Sequence, residues 1–274
     1  MEMAMIGYAL ALVIGCIMGL LGAGGSLIFP IMVYLLTKDA TLATAYALFL
    51  VGLTSSIGVV KKIRDKEVNF QIGFLVAIPT MLGTLFDRLY LIHAIPDPLF
   101  EIGDFVLGKT PFLLSFFAVV LALSSLSMLG VLNKGLRTRN EQNGTKTYNS
   151  SLIIGLSFAI GIISGLVGAG GGVLVVPMLV LMIGMEIRSA IGTSLFVIAF
   201  KSLLSFAFGD AIRMGGEIEW TFLFALVGCM ITGIIFGTSL SKFVEGAKLK
   251  RGFGVLLLLM SGFIIVKEAI LGLG

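Results

Sequence analysis

Eight apolar stretches, at about 4–22, 40–60, 69–90, 111–131, 150–168, 187–208, 219–240 and 251–272, alternate with short polar intervals. A helix needs about 20 apolar residues to span a bilayer, so each stretch predicts one membrane-spanning helix. Two further apolar runs, 26–37 and 172–184, are shorter, and each follows a cluster of glycines. At a rise of about 1.5 Å per residue they fall short of a comfortable crossing. The polar intervals are 61–67, 91–110, 132–149, 209–218 and 241–250. The interval 132–149 is the longest strongly polar one, and it predicts a first repeat over 1–131, a linker, and a second repeat over 150–274.

The two parts repeat one another. GLLGAGG at 19–25 matches GLVGAGG at 165–171, with Pro30 and Pro177 following at nearly the same distance. Ala43 to Phe49 aligns with Ala190 to Phe196, and Glu67 to Phe70 aligns with Glu217 to Trp220. Three blocks in one order point to an internal duplication, and duplicated transporters commonly carry their repeats in inverted orientation.

Charge then orients the repeats. Lys61, Lys62, Arg64 and Lys66 crowd one loop, and Lys242, Lys248, Lys250 and Arg251 crowd another. The linker adds Lys134, Arg137, Arg139 and Lys146. The loop from Asp87 to Lys109 is mixed, with Asp97, Glu101 and Asp104. Cytoplasmic loops carry the excess of Lys and Arg, so the three basic segments, linker included, are assigned to the cytoplasm. Lys38, Arg88, Lys109, Arg188, Arg213 and Lys267 are counted on the other side, with Arg188 near the outer end of its helix as an interfacial anchor or entrance residue. This placement needs an odd number of net crossings per repeat. Each glycine cluster therefore turns the chain back as a hairpin, and both termini lie outside. Hairpins that cross fully and hairpins that re-enter part-way both satisfy the pattern. The predicted fold is all-α: a polytopic membrane protein of two inverted repeats, each a Gly-rich helical hairpin plus three spanning helices.

Composition narrows the function. Hydrophobic residues make up 58% of the chain and charged residues 12%, against about 25% charged in soluble domains. Too few polar side chains are present to cover a water-facing surface. The basic residues form no stripe interleaved with aromatics, so nucleic acid is not a partner. Cys16 and Cys229 lie in apolar stretches and read as inert thiols. His93 is the single histidine, so no Ser/His/Asp set or metal centre is assembled around it, and no GxxxxGK[ST] loop is present. The reading is non-enzymatic, without cofactor or metal. The chain starts Met1-Glu2-Met3, without the positive segment of a cleavable leader, so the first apolar run reads as a retained span.

The candidate chemistry lies inside the membrane. Gly22, Gly24, Gly25 and Ser26, and Gly168, Gly170, Gly171 and Gly172, interrupt hydrophobic runs just before short helices. Glycine lets backbone or ligand approach closely, and the N–H groups at a helix start lack intrahelical partners. Two such starts related by a twofold would make a midplane anion site; close helix packing is the structural alternative. Lys201, about four turns into its stretch, either compensates an anion or snorkels toward 209–218. Its counterpart in the first repeat is Thr54. Thr44, Thr193 and Ser194 offer hydroxyls on the paired helices, as do Tyr46 and Ser202.

At GLLGAGGSLIFP (19–30), GLVGAGGGVLVVP (165–177) and RSAIGTSL (188–195) the sequence resembles the TauE/SafE family of sulfite and sulfonate exporters. The resemblance covers most of the chain apart from the linker and the 91–110 loop. It implies secondary, ion-coupled export of a small sulfur-containing anion, with Gly22 to Ser26, Gly168 to Gly172 and Thr193-Ser194 near the substrate path. The implied partners are a small anionic substrate, a coupling proton or sodium ion and the bilayer of the cell membrane, and a homo-oligomer is allowed. The readings weighed against it are a channel or cation-coupled carrier that uses carbonyls freed at the glycine turns, and a membrane scaffold without transport.

Overall fold

The computed structural model describes residues 2–22, 40–91, 100–102, 105–107, 109–130, 150–167, 172–211 and 219–271. Among these, nine α-helices make up almost everything: α1 (Glu2–Leu21), α2 (Ala40–Arg64), α3 (Phe70–Phe86), α4 (Lys109–Met128), α5 (Ser150–Val167), α6 (Gly172–Met178), α7 (Ile187–Ser205), α8 (Trp220–Leu240) and α9 (Gly246–Leu271). Single π-helical turns prolong α3 to Leu91, α6 to Ile183 and α7 to Asp210. Two three-residue strands, β1 (Phe100–Ile102) and β2 (Phe105–Leu107), pair antiparallel in the 91–110 interval. In hydrocarbon every backbone polar group must be satisfied within the segment, which is why the apolar runs are helices. Five of the helical segments are long and apolar enough to cross a membrane: Ala43–Arg64, Phe70–Leu91, Ile187–Asp210, Trp220–Leu240 and Gly246–Lys267. The protein is a multi-pass membrane protein of the all-α class.

Boundaries follow local chemistry. The Asn69 side chain accepts a hydrogen bond from the Ile72 amide (3.1 Å) and starts α3. Gly184, at φ 76°, closes the α6 extension in the left-handed conformation that suits glycine. α2 continues through Lys61, Lys62 and Arg64, and α9 already contains Lys248, Lys250 and Arg251. The basic intervals are thus partly helical, because a helix can run past the hydrocarbon once its side chains are charged. Run 26–37 lies outside the described residues.

Four helix pairs carry most of the packing: α1 with α8, α3 with α5, α2 with α7, and α4 with α9. Gly15 lies against Met230 and Gly19 against Ile234 and Thr238, so α1 and α8 run parallel. Gly83 meets Gly161 while Asp87 meets Gly165, so α3 and α5 also run parallel. Gly52 lies against Leu203 and Gly58 against Leu195, so α2 and α7 are antiparallel. Ser125 donates to the Gly254 carbonyl (2.7 Å) and Ser261 to that of Ala118 (2.9 Å), so α4 and α9 are antiparallel. Without a hydrophobic drive between helices, small residues that let backbones approach are what hold such seams. Phe74, Leu82, Phe236 and Leu259 point outward from the bundle, as a lipid-facing surface requires.

One end of the bundle carries an ionic lattice. Buried Lys62 pairs with Glu67 (2.6 Å) and donates to Ser241 (3.1 Å). Lys242 pairs with Asp65 (2.6 Å), and Lys61 donates to the Ile235 carbonyl (2.9 Å) and to Ser239. The basic loops after α2 and after α8 therefore share one end, as the charge pattern predicts. Arg188 departs from its expected place. It donates to the Val244 carbonyl (2.8 Å) and lies 3.8 Å from Glu67, so it belongs to the basic end. The reason is topological: α7 runs antiparallel to α2, so it starts where α2 finishes.

Glu67→Gln leaves the buried Lys62 ammonium without its counter-charge. We predict a loss of up to about 3–5 kcal/mol, the range for breaking a buried pair, with much of it regained in Lys62→Met/Glu67→Gln. Thermal unfolding in detergent checks this, and equal losses in the single and double variants would count against a buried pair.

Candidate functional site

α7 occupies the interior, packed on α2 and α3, with α6 beside it. Its apolar positions bury against those neighbours, and the same packing buries its polar ones: Thr193, Ser194, Lys201, Ser202 and Ser205. Lys201 is 0% exposed, and its ammonium donates to the Ser164 hydroxyl on α5. It does not snorkel toward 209–218. A cation this deep costs a few kcal/mol on insertion scales unless protein or water compensates it, and here it turns inward. Three more hydroxyls stand close by in the fold. Ser202 follows Lys201, Ser205 is one turn further on the same face, and Ser55 lies on the facing segment of α2. All three are buried, and their oxygens find no hydrogen-bond partner among the described residues. Buried polar groups are normally satisfied, so hydroxyls like these, on the helix that carries the buried lysine and on the segment facing it, are candidates to meet a polar ligand or water.

The other side of the same α5 turn meets Asp87, the first residue of the α3 extension. A side chain at Gly165 would run into the Asp87 carboxylate, so the glycine makes room for the acid. Asp87 is 0% exposed. Sequence reasoning missed it by making it the first residue of a loop, although an acid inside the apolar run 69–90 was a readable signal. Asp87, Ser164, Gly165 and Lys201 each lie about 21–26 Å along their helices from the basic end, at a rise of about 1.5 Å per residue.

The other sequence candidates divide. Gly22, at φ 78°, breaks α1 against Ser194 and Ile191 of α7, so this pair is brought together. Ser194 also donates to the Ile191 carbonyl (2.8 Å). Thr193 accepts from the Asn69 amide (3.0 Å) and so braces the start of α3. Tyr46 likewise braces the α8 start, its hydroxyl accepting from the Glu219 amide (2.7 Å). Thr44 is half-buried near the start of α2, and Gly172 is buried at the start of α6. Gly24, Gly25, Ser26, Gly168, Gly170 and Gly171 lie outside the described residues. Along α7, Gly22 and Ser164 make contact at levels seven residues apart, Ser194 and Lys201, or about 10 Å. A separate cleft of about 480 Å³ opens at the basic end, lined by Lys66, Glu67, Asn69, Met185, Glu186 and Ser189. Two carboxylates against one ammonium make it a poor anion site.

A family model described as sulfite exporter TauE/SafE matches residues 7–264. The chain is 26% identical over 231 residues to the "Probable membrane transporter protein YunE" of Bacillus subtilis, covering 80% of this chain and 81% of that one. It is 25% identical over 259 residues to a "Probable membrane transporter protein" of Xylella fastidiosa, covering 92% and 91%. No solved structure matches it.

Gly165→Ala puts a methyl group into the Asp87 carboxylate. We predict a loss of about 1–3 kcal/mol, as for overpacking, with part of it regained when Asp87→Gly is added. Strict additivity of the two substitutions in thermal unfolding would show that the residues do not touch.

Proposed function

We propose, from the premise that this chain belongs to the sulfite exporter TauE/SafE family, that it is a secondary transporter moving a small sulfur oxyanion, sulfite or a sulfonate, out of the cell. The coarser statement holds as fact: it is a membrane transporter of that family. The observation that carries the finer one is the fully buried Lys201 ammonium, with buried Ser202 and Ser205 hydroxyls on the same helix that have no hydrogen-bond partner among the described residues. An ammonium supplies the charge that a sulfur oxyanion needs after losing its water. Hydroxyls supply donors that follow its several oxygens. The glycine clusters, with Gly22 against Ser194, line the approach in this reading.

Alternating access between inverted halves is the mechanism we favour. If α1 to α4 correspond to α5, α7, α8 and α9 less the hairpin arms, the four main pairings exchange among themselves. α1 on α8 becomes α5 on α3, while α2 on α7 and α4 on α9 map onto themselves. The two self-paired contacts are antiparallel. That direction supports a twofold axis in the membrane plane, because an axis along the normal would leave mates parallel. Thr54 and Lys201, paired by the duplication, stand on facing segments of the α2–α7 crossing. The axis then passes beside the proposed site.

Purified protein in proteoliposomes should exchange radiolabelled sulfite or sulfonate across the membrane. Lys201→Ala should weaken anion binding about tenfold to a hundredfold, the equivalent of about 1.5–3 kcal/mol for a hydrogen bond to a charged group. A thermal-shift titration reads that affinity, since a ligand of the folded state raises apparent stability. Unchanged affinity in the variant, or no flux of any sulfur anion under an imposed ion gradient, would defeat the assignment.

A further inference from the structure

The transport reading gives Asp87 no task, yet its carboxylate is wholly buried among spanning helices. We infer that Asp87 carries the coupling proton, and that its protonation is the condition for an oxyanion to bind at Lys201. This rests on the transport reading above.

Three observations converge on it. The first is position. Lys201 reaches Ser164 from α7, and Asp87 presses on Gly165 from α3. Ser164 and Gly165 are consecutive, and α3 packs on both α5 and α7. Ammonium and carboxylate therefore address the same turn of α5. The second is departure from the repeat. The duplication pairs Lys201 with Thr54, Ser164 with Met18, and Asp87 with Gly237. In the α1–α8 seam Gly237 packs flat against Cys16, and Met18 is an ordinary buried apolar residue. Ser164 and Asp87 stand in the α3–α5 seam where the other seam has a methionine and a glycine, and Lys201, in place of a threonine, reaches that seam from α7. Packing alone requires neither Ser164 nor Asp87, since the α1–α8 seam closes with Met18 and Gly237 in those places.

The third is the charge inventory. Neither α3 (Phe70–Phe86) nor α5 has a titratable side chain. On α7 the charges are Lys201 and Arg188, and Arg188 is tied into the lattice at the far end. The α7 extension adds Asp210, nine residues beyond Lys201. Arg88 follows Asp87 in the chain, and Tyr90 faces outward. Lys201 is thus the charge that α7 presents at the Asp87 level. In this cycle the ammonium and the ionised carboxylate, placed at the neighbouring residues Ser164 and Gly165, offset one another before an anion binds. An oxyanion arriving while Asp87 is ionised would leave an excess negative charge in a low-dielectric interior. When the carboxylate takes up one proton, the ammonium and the anion balance. Proton and monoanion then load together, cross together, and leave together, and Asp87 returns to the carboxylate; in the cell the anion's own outward gradient drives this electroneutral exit, against the inward proton gradient.

The test uses the full-length protein in proteoliposomes with radiolabelled ethanesulfonate, which stays a monoanion throughout the working pH range. In the wild type, an imposed pH gradient should drive accumulation several-fold above equilibrium, with a matching signal from a trapped pH dye. Replacing sodium by N-methylglucamine should change nothing. Asp87→Asn should keep counterflow exchange at equal pH but lose both the accumulation and the dye signal. Gradient-driven accumulation by Asp87→Asn, or a strict sodium requirement in the wild type, would overturn the inference. Binding to the wild type alone provides a check that needs no variant. Affinity should fall as pH rises, by up to about tenfold per pH unit, as required when one proton binds with the ligand. A pH-independent affinity would overturn it as well. Absence of counterflow in the wild type with both sulfite and ethanesulfonate would instead sink the transport reading, and the inference with it.

Discussion

A positive charge near the middle of a hydrocarbon layer has to be met by protein, and the arrangement of this bundle around Lys201 follows from that need. The lysine sits on an interior helix and is itself fully buried, so it does not reach water by extending along a lipid-facing groove. Its ammonium instead turns to Ser164 on the last turn of α5. That bond ties the interior helix of the second repeat to the arm leading into its glycine cluster. Neighbouring serines on α7 and α2 add polar groups at a depth where the rest of the core is apolar. On the proposed function, the residues that make the charge tolerable are also the ones that would meet an anion.

The seams around this charge show what a duplication preserves and what it releases. In both, a GxxxG pair on the first helix of the repeat, Gly15 with Gly19 and Gly161 with Gly165, lets its partner helix come close. Gly233 and Gly83 take matching places on α8 and α3. One turn later the seams part company, with Gly237 in one and Asp87 in the other. The space opened by the glycine of the first helix is filled by backbone in one case and by a carboxylate in the other. The backbone differs there too, since Asp87 opens a π-helical turn while Gly237 lies within the continuous helix α8.

Much of the fold was legible in the sequence because its signals were long. Runs of about 20 apolar residues give helices whose limits agree with the structure to within a few residues, except where charged turns extend α2 and α9. The basic loops marked one end correctly, since Lys62 and Lys242 are held together there. Single residues were harder to place. Arg188 was given to the wrong end because it was treated as a charge count rather than followed along the chain through the hairpin. Asp87 was taken for a loop residue because an acid at the edge of an apolar run usually is one. Only the packing of α3 on α5 shows that the helix continues past it. Thr193 was singled out for a ligand and is used by the fold, since its hydroxyl accepts the Asn69 amide. Nothing in one sequence distinguishes a hydroxyl that braces a helix start from one that faces a pocket.

The lattice at the basic end bears on how the site is reached. Lys62, Glu67, Arg188, Ser241 and Lys242 join the loop after α2 to the start of α7 and to the turn between α8 and α9. Lys62 with Ser241, Arg188 with Glu67 and Lys242 with Asp65 join the part of the chain before the linker to the part after it, while Lys62 with Glu67 and Arg188 with the Lys242 carbonyl lie within one part. Lys62 is nearly dry in this arrangement, and separating it from Glu67 and Ser241 exposes charge that the closed form has paired. On the alternating-access reading, the described conformation is therefore shut toward the basic side, and opening that side means trading those pairs for water. Surface pairs of this kind are worth little, whereas buried ones resist removal of a single partner. The mixture found here, with Lys62 buried and Lys242 largely exposed, suits a closure that must hold and yet release. The proposed anion site lies beyond it, about 21 Å along α7 from that end at a rise of about 1.5 Å per residue.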